Sequence, residues 1–227
     1  MTCLVMFDLD GTLIDSRAHI ARAIVETARL TGMEEPAAHD VPCVIGLSLD
    51  EVLSTLFPQA DAAKVAELYR VYRQVFADWR ARAERHEPLF AGSIEILADL
   101  DARGFQLGIA TGKGRRGVDF VLGAHGLKGR FATIQTPDIA PGKPNPAMLH
   151  QAMAETGFSP DRTVMIGDTT FDMVMARAAR THAIGVNWGN HAANELQSAG
   201  AHAVIDRWSQ LMHAIDTLVF RTTGKSS

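Results

Sequence analysis

Four short stretches gather side chains able to do chemistry: Asp8-Leu9-Asp10-Gly11-Thr12, Thr111-Gly112-Lys113, Gly142-Lys143-Pro144-Asn145-Pro146 and Gly167-Asp168-Thr169-Thr170-Phe171-Asp172. Asp8 and Asp10 stand two residues apart, a spacing that lets both carboxylates reach one pocket where a strand opens into a turn. Carboxylates that close repel each other unless a cation or a shared proton compensates. Asp168, and with it Asp172, brings the count to three or four, an all-oxygen environment of the kind Mg²⁺ favours. Lys143 and the backbone N–H groups around Gly11 and Gly112 supply positive potential for an anion beside such a metal. With the Thr111 hydroxyl added, the set describes a device for holding phosphate.

The chemistry follows from those groups. A carboxylate can attack phosphorus to form an aspartyl-phosphate, splitting one difficult displacement into two easier ones. The second carboxylate can protonate the leaving oxygen and then activate water. Mg²⁺ and lysine offset charge on the phosphoryl oxygens. The chain contains neither a Gly-x-Ser-x-Gly elbow nor a Walker-type loop.

Groups so far apart in the chain need a scaffold that gathers them. The apolar run 4–7 ends at Asp8 and reads as a buried strand; runs 106–110, 131–135, 164–166, 182–186 and 203–205 read as further strands. Helical spacing predicts helices over 93–103, 115–125, 146–156, 171–179, 194–199 and 209–220. Strands alternating with helices imply right-handed crossovers and a parallel sheet covered on both faces, with ligands outside the carboxyl ends of the strands. Between the first two strands the texture is all-helical: 16–30, a segment opened by a Ser48–Glu51 capping box, and 61–84. The expected architecture is therefore α/β, a doubly wound Rossmann-like parallel-sheet core of residues 1–15 and 87–227 with an inserted all-helical cap domain of residues 16–86.

Composition narrows the partners. A net charge of -4 in 227 residues gives no global field for nucleic acid. No run approaches the roughly 18 apolar residues of a membrane span. Two cysteines, Cys3 and Cys43, make no disulfide framework. The expectation is a cytoplasmic protein, monomer or homodimer, acting on a small phosphorylated metabolite.

The segments "DLDGTLIDS" at 8–16, "ATGK" at 110–113, "GKPNP" at 142–146 and "GDTTFD" at 167–172 resemble, in order and spacing, the four motifs of the haloacid dehalogenase superfamily, and the helical insertion resembles its mobile cap. The resemblance implies Asp8 as nucleophile and Asp10 as general acid/base. It implies Leu9, Asp10, Thr111, Gly112 and Lys143 around the phosphoryl group. Mg²⁺ would be held by Asp8, the Asp10 backbone carbonyl and Asp168, with Asp172 a ligand or support. An aspartate at position 10 points to phosphate-ester chemistry within that superfamily. The segments "PCVIGLSLDEVLSTLFP" at 42–58 and "PLFAGSIEILADL" at 88–100 resemble phosphoglycolate phosphatases. The alternatives are a β-phosphoglucomutase-like mutase, an inorganic pyrophosphatase and a non-catalytic metabolite-binding module. The mutases carry an arginine in the cap segment where this chain has Leu49.

Other residues have milder readings. Lys113, Arg115 and Arg116 read first as a solvated helix start, with anion binding as the functional option. Trp188 and His191 read as a rim packing against the cap or as structural residues. His19 reads as a cap-surface histidine, and Tyr69, Tyr72, Phe76 and Trp79 as cap core.

Overall fold

The computed structural model describes residues 2–81 and 87–220. Six strands form one sheet: β1 (Leu4–Phe7), β2 (Gln106–Ala110), β3 (Thr133–Gln135), β4 (Thr163–Gly167), β5 (His182–Val186) and β6 (Ala203–Ile205). The order is β3-β2-β1-β4-β5-β6, and every neighbouring pair is parallel. Parallel strands buried on both faces read as continuous apolar runs, and all four residues of β1 and all five of β4 are buried. Alternate residues feed opposite layers. Cys3, Val5 and Phe7 join one core with α5 (Ser93–Ala102), α6 (Arg115–Ala124) and α10 (Leu211–Ile215). Leu4 and Met6 join the other with α7 (Ala147–Thr156), α8 (Thr170–Ala178) and α9 (Ala193–Ser198).

Between β1 and β2 the chain forms α1 (Arg17–Thr31), α2 (Asp40–Val44), α3 (Leu49–Leu56) and α4 (Ala62–Ala81). These helices have cores of their own, one around Ile24, Leu53 and Leu68 and one around Ala23, Val75 and Trp79. The two connections to the sheet run side by side: Asp15 N–H donates to Pro88 O at 2.8 Å and Phe90 N–H to Leu13 O at 3.0 Å. The capping box at Ser48 and Glu51 is formed.

Three elements differ from their sequence expectation. The five-residue α2, with Pro42 inside it, is too short to show a period. The weak strand at 131–135 shortens to Thr133–Gln135. The single helix expected over 209–220 breaks into a 3₁₀ turn (Trp208–Gln210), α10 and a π turn (Asp216–Phe220). Thr217 Oγ1 donates back to His213 O at 2.8 Å, a bond that perturbs regular helix. The expected end of α4 at Glu84 lies outside the described residues. Among the described residues no helix is long and apolar enough to cross a membrane.

Candidate active site

In this strand order the direction of winding reverses between β1 and β4, and a crevice opens beyond their carboxyl ends. Asp8 follows β1 directly and Asp168 follows β4. Asp8, Asp168 and Asp172 are fully buried, and one carboxylate oxygen from each lies within 4.8 Å of the others. The Lys143 ammonium, also fully buried, stands 3.0 Å from Asp8 Oδ1 and 2.6 Å from Asp172 Oδ1. Three carboxylates thus face one ammonium, and a full set of charges would leave two negative ones in a low-dielectric site.

Burial is the largest influence on Asp8 and pushes its carboxyl well above the ordinary carboxylate range. Lys143 pulls it back, and Asp172, Asp168 and Asp10 add to the rise. Burial, then Asp172, raises Asp168 to about 6 against hydrogen bonds from Asn190 and Thr12. Burial works against the Lys143 ammonium, but Asp172 and Asp8 outweigh it and hold its pKa above the ordinary lysine value.

Each acid is held differently. Asp168 Oδ1 accepts from Thr12 Oγ1 at 2.9 Å, and its Oδ2 accepts from Asn190 N and Nδ2, both at 2.8 Å. Asp172 Oδ2 accepts from Thr169 N at 3.1 Å and Oγ1 at 2.7 Å, closing the capping box of α8. Asp8 Oδ1 accepts from Leu9 N at 2.6 Å, whereas its buried Oδ2 has no hydrogen-bond partner. An unpartnered carboxylate oxygen, two neighbouring acids and an excess of negative charge fit a hard divalent cation. Gly11 at φ +90° lets the loop pass, since a Cβ there would stand 2.1 Å from Asp168 Oδ2.

Above this floor lies a cleft of ≈ 770 Å³ between sheet and helical insertion. Asp8, Asp10, Thr111, Gly112 and Lys113 contribute from the sheet side, and Leu49, Arg70, Tyr72, Arg73 and Phe76 from the helices. Contact is close: a Cβ on Gly112 would stand 2.2 Å from Leu47 O. Thr111 is buried, and its Oγ1 accepts from Lys113 N at 3.2 Å.

The Asp10 carboxylate is not part of the buried trio. Its Oδ1 lies 3.1 Å from Lys113 Nζ, which also meets Glu87 Oε1 at 3.2 Å. Lys113 is therefore a nearly buried bridge and not the solvated helix start expected for it; its neighbours Arg115 and Arg116 are exposed, and Arg115 pairs with Asp119. Trp188 does not pack as a cap rim: its indole N–H donates to Thr12 O at 3.1 Å, and the ring meets Phe90 and Trp208. His191 Nδ1 accepts from Thr170 N at 3.0 Å at the start of α8. His19, Phe76 and Trp79 surround a small void of ≈ 20 Å³ beside Glu87 and Lys113. Tyr69, Tyr72 and Phe76, expected as core, also line the cleft. Thr12 belongs to the first reactive stretch and Glu87 to the second joint, but the sequence assigns neither a role in the site, and Asn190 escapes it altogether.

A family model described as haloacid dehalogenase-like hydrolase matches residues 5–186. The chain is 33% identical over 221 residues to the probable phosphatase IndB of Dickeya dadantii (strain 3937), covering 96% of each. It is 30% identical over 212 residues to the pyrophosphatase PpaX of Bacillus mycoides (strain KBAB4), covering 92% of this chain and 94% of that one. It is 28% identical over 219 residues to the phosphoglycolate phosphatase of Photobacterium profundum, covering 93% and 94%. Among solved structures, a hydrolase from Pseudomonas syringae superposes with a TM-score of 0.83 at 27% identity, over 96% of this chain and 100% of that one. The chain belongs to the haloacid dehalogenase-like hydrolase family. Within it the chain is a phosphatase.

Proposed function

We propose that the protein is a Mg²⁺-dependent phosphatase that hydrolyses a small phosphate monoester through an aspartyl-phosphate on Asp8, with phosphoglycolate the first substrate to try. One observation carries the reading: a buried carboxylate at the end of β1, with Oδ2 unpartnered, lies beside a buried lysine and lines the cleft. An Asp8 oxygen attacks phosphorus as the ester P–O bond breaks, and Asp10 gives its proton to the departing oxygen. Asp10 then takes a proton from the water that attacks the aspartyl-phosphate, freeing Asp8 and inorganic phosphate. Lys143 offsets charge on the phosphoryl oxygens, while the Thr111 hydroxyl and the N–H groups of Leu9 and Gly112 orient them. Asp8, Asp168, Asp172 and the Asp10 carbonyl are the groups that would hold Mg²⁺, which when bound neutralises phosphoryl charge. In this reading residues 16–86 act as a cap domain over a core of 1–15 and 87–227, excluding bulk water.

The choice of substrate rests on the cleft. Its exposed Arg70, Arg73 and Arg116 suit a second anion such as the phosphoglycolate carboxylate, and Tyr69, Tyr72 and Phe76 suit an organic body. Pyrophosphate, the substrate class in the name of one relative, offers nothing for that apolar wall. Leu49 lines the cleft where the mutases' arginine would be expected, which disfavours phosphoryl return to a sugar. The test is a panel of phosphoglycolate, sugar phosphates and pyrophosphate, with Mg²⁺ and with EDTA. Metal-dependent phosphate release that disappears in Asp8→Asn is expected. Equal release without metal, or by Asp8→Asn, overturns the mechanism; a rise in KM for pyrophosphate but not for phosphoglycolate in Arg70→Ala overturns the substrate assignment.

A further inference from the structure

We infer that Glu87 is a positioning residue for the Asp10 proton transfer, acting through Lys113. The inference rests on the reading of Asp10 as general acid/base.

Glu87 stands in the second connection between insertion and sheet, outside the four motifs and 26 residues before Lys113. It is nevertheless 7% exposed, and both its oxygens face Lys113 Nζ, at 3.2 and 3.4 Å. Its backbone is anchored, with Glu87 O bonded to His125 Nε2 at 2.7 Å and the next residue's carbonyl, Pro88 O, accepting from Asp15 N at 2.8 Å. Lys113 is guided to it: a Cβ on Gly117 would stand 2.8 Å from Lys113 Cγ, so α6 keeps a glycine where the stem passes. Phe76, Trp79 and Phe120 wall the contact, leaving a void of only ≈ 20 Å³. With side chains only 12% and 7% exposed, the Lys113–Glu87 contact is stronger than one at the surface, and an ammonium left without it is costly.

That cost defines what Glu87 does. Asp10 must exchange its contact with Lys113 for the leaving oxygen of the substrate. With Glu87 present, Lys113 keeps a carboxylate partner during the exchange, and Asp10 is free to turn. Without the Glu87 charge, Asp10 is the only carboxylate within ion-pair distance of Lys113 among the described residues, and it is held there. Proton delivery matters most where the leaving group is a poor one, so the defect should grade with the ester.

The experiment compares kcat/KM, which reports phosphoryl transfer to Asp8 and not the later hydrolysis common to all esters, for an alkyl phosphate and for p-nitrophenyl phosphate in wild type, Glu87→Gln, Glu87→Asp and Asp10→Asn. Loss of a general acid costs about 10²–10⁴-fold, so Asp10→Asn should depress the alkyl ester by that order and the aryl ester far less. Glu87→Gln should lower the alkyl-to-aryl kcat/KM ratio about tenfold, a fraction of the general-acid effect. Glu87→Asp should recover part of the loss. Equal loss on both esters in Glu87→Gln, with Asp10→Asn still selective, overturns the inference and leaves a structural role. An Asp10→Asn protein without leaving-group selectivity overturns instead the acid/base reading on which the inference stands.

Discussion

Replacing Lys143 by methionine removes the ammonium that, among the described residues, pairs with Asp8 and Asp172, while keeping most of the stem's volume. It lies 3.0 Å from Asp8 and 2.6 Å from Asp172, and none of the three side chains is more than 1% exposed. Removing one partner of a buried pair costs about 3–5 kcal/mol, because the other charge stays behind uncompensated. In a chain of this size each kcal/mol lowers Tm by about 2–4 °C. Metal-free Lys143→Met should therefore melt about 6–20 °C below the parent near neutral pH. The acids can escape by binding protons. Asp8 and Asp168 already lie above the ordinary range, burial being the main cause for both, and Lys143 is what lowers Asp8. An acid whose folded pKa exceeds its unfolded value binds more protons when native, so stability rises as pH falls through the folded pKa toward the unfolded one. The deficit should shrink between about pH 7.5 and about pH 5. Thermal melts in EDTA at both pH values measure it. A variant melting within about 2 °C of the parent, less than about 1 kcal/mol, would refute the picture of charged acids held by Lys143, as would a deficit indifferent to pH.

Three further outcomes are expected. Excess Mg²⁺ should stabilise the protein by about 2.7 kcal/mol at a hundredfold excess over Kd. The gain should fade below pH 6, because Asp168 titrates at about 6 and must lose its proton to bind metal; Asp168→Asn should abolish the Tm rise in melts with and without EDTA. Gly112→Ala forces a Cβ to within 2.2 Å of Leu47 O, so the helices cannot settle on the sheet. A misplacement on that scale can cost about 10²-fold in kcat/KM, and steady-state kinetics beside an unchanged core melt would show it. His182 and His202 both have pKa values lowered, first by burial. Their unfolded forms bind more protons, so the stability they confer is complete above the unfolded pKa of roughly 6.5 and is lost as pH falls through the folded values. His202→Gln should lose less Tm than wild type between about pH 7.5 and about pH 5.5.

The sheet and most of its reactive loops were legible because their signals are local. A short apolar run ending in Asp8 or in Gly167-Asp168 announces both the strand and the place where its side chains leave the sheet. What escaped depends on partners distant in the chain. Asn190 holds Asp168 from 22 residues away and Thr12 from 156, and neither separation obeys a spacing rule. Lys113 reads as a solvated helix start from its neighbours Arg115 and Arg116, yet Asp10 and Glu87 draw it inward. Glu87 marks only a joint in the sequence, since its carboxylate acquires meaning when the two connections run side by side. Trp188 was ambiguous for the same reason, as its acceptor is Thr12 O across the sheet.

The same cluster sets stability against chemistry. Asp172, Asp168 and Asp10 raise the Asp8 pKa against the pull of Lys143, and burial raises it most, so without metal the native state resists the ionised form that attack requires. Neutralising that one residue should relieve the conflict. Asp8→Asn, inactive by the proposed mechanism, should be more stable than wild type in EDTA at about pH 8, because burial and the neighbouring acids make the charged form of Asp8 costly in the native state. The advantage should vanish on acidification, where wild-type Asp8 is protonated as well, and should narrow when Mg²⁺ is added, because only the wild type has the Asp8 charge to share with it. Urea melts of both proteins across that pH range make the comparison. An Asp8→Asn protein less stable than wild type at every pH would mean that Asp8 is a structural ion-pair partner of Lys143 first, and the case for it as a strained nucleophile would fail.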